Sequence, residues 1–126
     1  MSKIVQLKDQ EGVSLYPKVL EEYSSTEKVV GRWDNKPIYR KVYTFTTSND
    51  SNIYINHGLQ NLEKYWVNMG KSFILNNSET LSPNFYYGTN DWARIWLNTT
   101  QIRFRSPSSL GSRTVYLTVE YTKTTD

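Results

Sequence analysis

An all-β fold is predicted for this chain, as an antiparallel β-sandwich of jelly-roll type carrying an N-terminal arm and hairpin. Three observations predict it. Aromatic residues reach 14%, with ten Tyr and four Trp, and they stand beside 13 Thr, all strand-favouring types. Ser and Asn number 13 and 11 and cluster between short apolar runs, as turn residues do. Alanine, the best helix former, occurs once, at Ala93.

The arm and hairpin are expected over residues 1–41. Leu15-Tyr16-Pro17 is an extended pre-proline segment. Ser24 and Glu27 stand at capping-box spacing, so a short helical turn is expected there, ended by Gly31. Gly31-Arg32-Trp33, Asp34-Asn35-Lys36-Pro37 and Ile38-Tyr39-Arg40 read as strand, turn and strand. Asp and Asn tolerate the left-handed backbone that such a tight turn requires.

The sandwich is expected over residues 42–126. Its predicted strands are 42–47, 53–56, 65–69, 72–75, 85–87, 92–97, 102–105 and 114–121, with 85–87 at an edge. Asn49-Asp50-Ser51-Asn52 and Asn98-Thr99-Thr100 are turns. Asn76-Asn77-Ser78 and Ser82-Pro83-Asn84 bracket a loop, and a Ser-Pro-Ser-Ser loop follows Arg105.

Period-2 alternation divides each strand into two faces. One face collects Ala93, Ile95 and Leu97; Ile102 and Phe104; Val115, Leu117, Val119 and Tyr121; and Tyr65, Val67 and Met69. This set is the expected core. The opposite face collects Trp66, Trp92, Arg94, Trp96, Arg103, Arg105 and Tyr116. Aromatic rings can cover the apolar side of a sugar, and Arg donates in a planar fork. The set is read first as a contact with another copy of the chain, next as a ligand-binding face, and otherwise as plain core on a misassigned face.

A second candidate surface is the Asn84–Asp91 loop, with Tyr86, Tyr87, Asn90 and Asp91 as receptor-contacting residues. The alternative is a turn whose aromatics plug one end of the sandwich. Arg103, Arg105 and Arg113 flank the Ser-Pro loop. They could hold an anionic cell-wall polymer, or form a solvated edge that discourages strand-on-strand aggregation.

Other function classes find little support. Cysteine is absent, which removes disulfides, thiolate catalysis and cysteine-ligated metals. His57 is the one histidine, and no ligand cluster accompanies it in sequence, so a structural role is expected. Glu21, Glu22, Glu63, Glu79, Asp91 and Glu120 are scattered over separate elements, so no glycosidase pair is expected. No phosphate loop or nucleophile elbow occurs. The reading is of a non-enzyme that needs no metal or cofactor.

The net charge of +3 is spread along the chain, so nucleic acid is not an expected partner. No run of 18 apolar residues occurs, so no membrane insertion is expected. The opening residues Met1 to Gly12 lack an apolar stretch, so no secretory signal is expected. The sequons at Asn49, Asn76 and Asn98 mark surface turns.

Three separated segments resemble, in order, a family of phage and prophage tail-fibre and virion appendage proteins. The first runs from Tyr16 through Val29-Val30-Gly31-Arg32-Trp33 to Lys36-Pro37-Ile38-Tyr39-Arg40-Lys41. The second is Asn56-His57-Gly58-Leu59-Gln60-Asn61-Leu62-Glu63 and the third Val119-Glu120-Tyr121-Thr122-Lys123-Thr124-Thr125-Asp126. The likeness extends over nearly the whole chain. It departs at Trp33-Asp34-Asn35-Lys36, where the family's additional Ile and Gly are missing, so this hairpin should be tighter or of a different turn type.

The resemblance implies a virion protein of tail-fibre or receptor-binding type, attaching to the bacterial surface through a glycan or protein receptor. It further implies a homotrimer whose N-terminal arm meets other virion proteins. A capsid head fibre or decoration protein is the alternative.

Overall fold

The structure is a computed structural model that describes residues 24–48, 52–88, 91–107 and 110–126, with the backbone alone for 86–88. The expected arm before Ser24, the centre of the 49–52 turn with its Asn49 sequon, Asn90, and the middle of the Ser-Pro loop lie outside the described residues. So do the side chains of Tyr86 and Tyr87.

Ten strands follow in order: β1 (Lys28–Trp33), β2 (Lys36–Thr46), β3 (Asn52–Asn56), β4 (Leu62–Val67), β5 (Phe73–Asn76), β6 (Glu79–Leu81), β7 (Phe85–Gly88), β8 (Asp91–Leu97), β9 (Gln101–Arg105) and β10 (Thr114–Lys123). All pairings are antiparallel. The first sheet runs β1-β2-β10-β5-β6, and β4 also pairs with β10. β4 and β5 share one side of β10, set end to end around a 3-10 turn at Met69–Lys71. The second sheet runs β3-β9-β8-β7.

The β2–β10 pair of one sheet gives way to the β3–β9 pair of the other, which rolls the chain around a shared core. The predicted all-β antiparallel sandwich is therefore the observed fold. Its core is the face that alternation assigns, except that Met69 lies in the 3-10 turn beyond β4 and stays outside it. Ile102 and Phe104 of the second sheet and Val115, Leu117, Val119 and Tyr121 of the first are fully buried. Phe45 of β2 meets Phe104 edge-on across the two sheets, with ring centroids 5.8 Å apart. Leu110 and Pro107 are buried at the β9–β10 connection, and Leu110 joins the core there.

The hairpin turn follows its chemistry. Asp34 and Asn35 both have positive φ, 51° and 62°, which is the two-residue turn that matches strand twist. Asn98 also acts as expected, its side chain accepting from the Thr100 and Gln101 amides.

Four expectations are corrected. No helical turn forms at 24–27. Ser24 Oγ accepts from the Thr26 amide at 3.1 Å, while Glu27 reaches Tyr121 and Lys123. Gly31, expected as the helix end, lies inside β1 beside a register shift. The boundary after residue 41 cuts through β2, whose Tyr39 and Lys41 pair with Tyr121 and Val119, so the hairpin belongs to the first sheet. The loop expected between Asn77 and Ser82 contains β6. Asn77 supplies the positive φ for a two-residue β5–β6 turn.

Near β1, a polar latch secures the strand's start. The Tyr121 hydroxyl donates to Glu27 Oε1, and Lys123 meets Glu27 Oε2 at 3.0 Å. Burial raises the Glu27 carboxyl, but the Tyr121 hydrogen bond and the Lys123 charge outweigh it, and the net shift is downward. Burial, helped by the Glu27 charge, pushes the Tyr43 phenol up to about 12. Tyr121 is raised as well, first by burial and then by Glu27.

These phenols tie stability to alkaline pH. In the unfolded chain Tyr releases its proton near pH 10, and in the fold Tyr43 holds it to about 12. The stabilisation is complete below about pH 10 and is lost as pH rises through about 12. Urea midpoints should therefore hold steady to about pH 10 and fall above it. Tyr43→Phe should fall less steeply. Parallel slopes for the two proteins would show that Tyr43 contributes nothing to the decline.

Candidate functional site

The outward side chains of the second sheet are fixed by the core beneath them. Ile53 and Ile55, Ile102 and Phe104, and Ala93, Ile95 and Leu97 point inward. Alternation then turns Asn52, Tyr54 and Asn56, Gln101, Arg103 and Arg105, and Trp92, Arg94 and Trp96 to the outer face. Cross-strand register lines up Tyr54, Arg103 and Trp96 in one row, and Asn52, Arg105 and Arg94 in the next.

Rings and guanidinium groups interleave along these rows. Arg103 lies 4.2 Å from the Trp96 ring centroid and 5.8 Å from that of Tyr54. Arg94 lies 5.7 Å from Trp96, and Arg105 lies 4.0 Å from Trp92. Each contact adds roughly 0.5–2 kcal/mol, depending on desolvation. Arg103 Nε also donates to Asn52 Oδ1 at 3.2 Å, and Gln101 Nε2 to Asn56 Oδ1 at 3.1 Å. Both hold long side chains flat against the sheet.

The structure thus brings Trp92, Arg94, Trp96, Arg103 and Arg105 together on one surface. Tyr54 joins them, and sequence reasoning missed it. The signal was present, because Asn52, Tyr54 and Asn56 alternate with Ile53 and Ile55. Trp66 and Tyr116 do not belong to this surface. They sit on β4 and β10, on the outer side of the first sheet. Alternation tells inside from outside within a sandwich but does not tell one outside from the other.

The described part of the Asn84–Asp91 segment is strand more than loop. β7 pairs with β8 through Phe85↔Ala93 and Tyr86↔Trp92, and Asp91 opens β8 opposite Gly88. An open pocket of about 190 Å³ lies here, lined by Asn84, Phe85, Trp92, Ala93 and Arg94. It is smaller than a usual small-molecule cleft, which favours recognition across the face over capture in a cavity.

Arg113 leaves the basic set as well. Its Nε donates to Asn76 Oδ1 at 2.7 Å, and its amide donates to Thr47 Oγ1 at 2.8 Å. It secures the start of β10 in the first sheet.

The first sheet's outer face carries a different arrangement. Glu120, buried on β10, accepts from Arg40 Nε at 2.7 Å and from Asn68 Nδ2 at 3.1 Å through Oε2, and from Trp66 Nε1 at 3.1 Å through Oε1. Arg40 Nη2 approaches the same carboxylate at 2.6 Å. Trp33 packs edge-on against Trp66 at 5.4 Å, with Lys64 over its ring. Three side chains converge on the one carboxylate, so the cluster's chemistry is cohesive.

His57 is buried at the end of β3. Nδ1 accepts the Leu59 amide at 3.0 Å, and Nε2 donates to the Asn98 carbonyl at 2.9 Å. These two bonds assign the Nε2–H tautomer and tie β3 to the β8–β9 turn. Among the described residues, no group of three or more His, Asp or Glu side chains is placed to hold a metal ion. No described helix is long and apolar enough to cross a membrane.

No protein-family model, no curated protein and no solved structure matches this chain.

Proposed function

We propose that this chain is a non-enzymatic attachment module of a phage virion appendage, of tail-fibre or receptor-binding type. It engages carbohydrate on the bacterial surface through the outer face of its second sheet. The observation that carries this reading is the row of Tyr54, Arg103 and Trp96, with Arg94 in the adjacent row, presented outward from three adjacent strands. A flat face of rings and guanidinium forks suits a sugar's apolar side and its hydroxyls together. The ordered likeness of three segments to tail-fibre and appendage proteins supplies the virion setting.

The homotrimer in this reading requires apolar contact surface. Val29, Val30, Trp33 and Leu75, all exposed, lie on the first sheet, and among the described residues Tyr54 is the one exposed large hydrophobic on the second. Assembly through the first sheet leaves the second free for the receptor. A head-fibre placement predicts labelled antibody on the capsid of intact particles, and the tail placement predicts label on the tail.

The deciding experiment screens the purified chain against whole bacterial cells and a glycan array, beside Trp92→Ala and Trp96→Ala. Both variants should stay folded and keep the parent's mass by light scattering. Each should lose at least about tenfold in cell binding, as expected for a central interface aromatic. Variants that bind cells as well as the parent would remove the face from the function. Variants that change oligomeric state would make it a subunit contact.

A further inference from the structure

The two outer faces differ in how their cations are neutralised. On the first sheet Arg40 meets Glu120, Lys36 and Lys64 meet Glu63, and Lys123 meets Glu27, while Arg32 donates to the Asn35 carbonyl and Lys41 lies over the Tyr43 ring. On the second sheet Arg94 contacts the Trp96 ring, while Arg103 contacts the Trp96 and Tyr54 rings and Asn52 Oδ1. Neither Arg94 nor Arg103 forms an ion pair among the described residues. Over β3, β8 and β9 the one carboxylate is Asp91, at the head of β8. The face therefore keeps positive charge where its rings are.

The state of each ring narrows the ligand. A guanidinium lies close over Trp96, at 4.2 Å, and another over Trp92, at 4.0 Å. One side of each indole is therefore already covered. Tyr54 is 58% exposed and, among the described residues of this sheet, is the ring most open to an incoming molecule. A guanidinium stacked on an indole still presents N–H groups at its rim, spaced to grip a carboxylate or phosphate with two bonds.

From this arrangement we infer that the ligand is an anionic glycan. Tyr54 lies against the apolar side of a sugar ring, and Arg103 and Arg94 take the oxygens of its carboxylate or phosphodiester. The inference rests on the carbohydrate reading of this face and names the class of sugar. Nucleic acid also combines rings with anions, but the fit is poorer. The two indoles that would stack bases carry guanidinium groups, and β3, β8 and β9 contribute no Lys to follow a phosphate backbone.

The test is a titration of the full chain, followed by tryptophan fluorescence, with four probes: a polyuronate oligosaccharide, a poly(glycerol phosphate) oligomer, a neutral dextran oligosaccharide and oligothymidylate. At least one acidic glycan should bind about tenfold or more tighter than dextran, and weaken as salt is raised. Which acidic glycan binds separates carboxylate from phosphodiester recognition. Arg94→Gln, Arg103→Gln and Tyr54→Ala should each reduce that binding severalfold. Arg94 and Tyr54 are exposed, so those two variants should stay folded and lose no more stability than one ring contact supplies.

Dextran bound as tightly as the acidic glycans, with loss on Tyr54→Ala, would overturn the anionic preference and leave carbohydrate binding standing. Oligothymidylate bound most tightly would replace the glycan with nucleic acid. No response to any probe would overturn the inference. Cell binding by the Trp92→Ala and Trp96→Ala proteins would then decide the carbohydrate reading on its own.

Discussion

Glu120→Ala should destabilise the fold by about 3–5 kcal/mol, the range for removing one partner of a buried ion pair. The carboxylate is the common acceptor for Arg40, Trp66 and Asn68. Its loss leaves the Arg40 guanidinium, which is 16% exposed, without its counter-charge on the sheet. It also leaves an indole N–H and an amide without their acceptor, each of which carries a desolvation penalty of about 1–3 kcal/mol. Small domains have about 5–15 kcal/mol in total, so a large share of the stability rests on one side chain. The melting temperature should fall by roughly 10–20 °C. Glu120→Leu combined with Arg40→Leu should recover much of the loss, because an apolar pair of similar volume avoids burying charge. If the double variant is as unstable as the single one, the cost comes from packing around β10 and not from the unpaired charge. Below its melting temperature Glu120→Ala should bind glycan as the parent does, since the cluster lies on the sheet away from the candidate face.

What the sequence revealed, and what it hid, follows from the range of the interactions involved. Facing along β8, β9 and β10 was legible because alternation is local and each strand packs one face on the core. The Asp34-Asn35 turn was legible because left-handed backbone at two successive residues restricts the residue types. Ser24 and Glu27 misled because capping-box spacing is also local. Here the Glu27 carboxylate is taken by Tyr121 and Lys123, more than ninety positions away in the chain. The boundary at residue 41 failed for a similar reason. β2 is continuous because β10 pairs with it from Thr46 to Tyr39, and no residue near 41 records that pairing. The candidate face was legible in composition and not in membership. Trp66 and Trp96 alternate alike, and only the order of strands in the two sheets assigns them to opposite sides.

Phe104→Ala should cost a similar amount, about 3–5 kcal/mol, by a different route and with a different functional consequence. Phe104 is fully buried, meets Phe45 across the sandwich, and pairs with Ile53 on one side and Ile95 on the other. Truncation removes a ring contacted by both sheets, and the cavity cannot close without moving β9. That strand carries Arg103 and Arg105 on its other face, one residue to either side. The spacing of both guanidinium groups over Trp96 and Trp92 therefore depends on the seat of Phe104. Folded Phe104→Ala should bind glycan more weakly than the parent, whereas folded Glu120→Ala should not. Phe104→Leu, which keeps more of the volume, should fall between the parent and Phe104→Ala in both stability and binding. Chemical denaturation and the fluorescence titration on the same samples separate the two effects. If both variants lose stability and both keep full binding, the face is held by its own cross-strand contacts, and the core beneath it does not set its geometry.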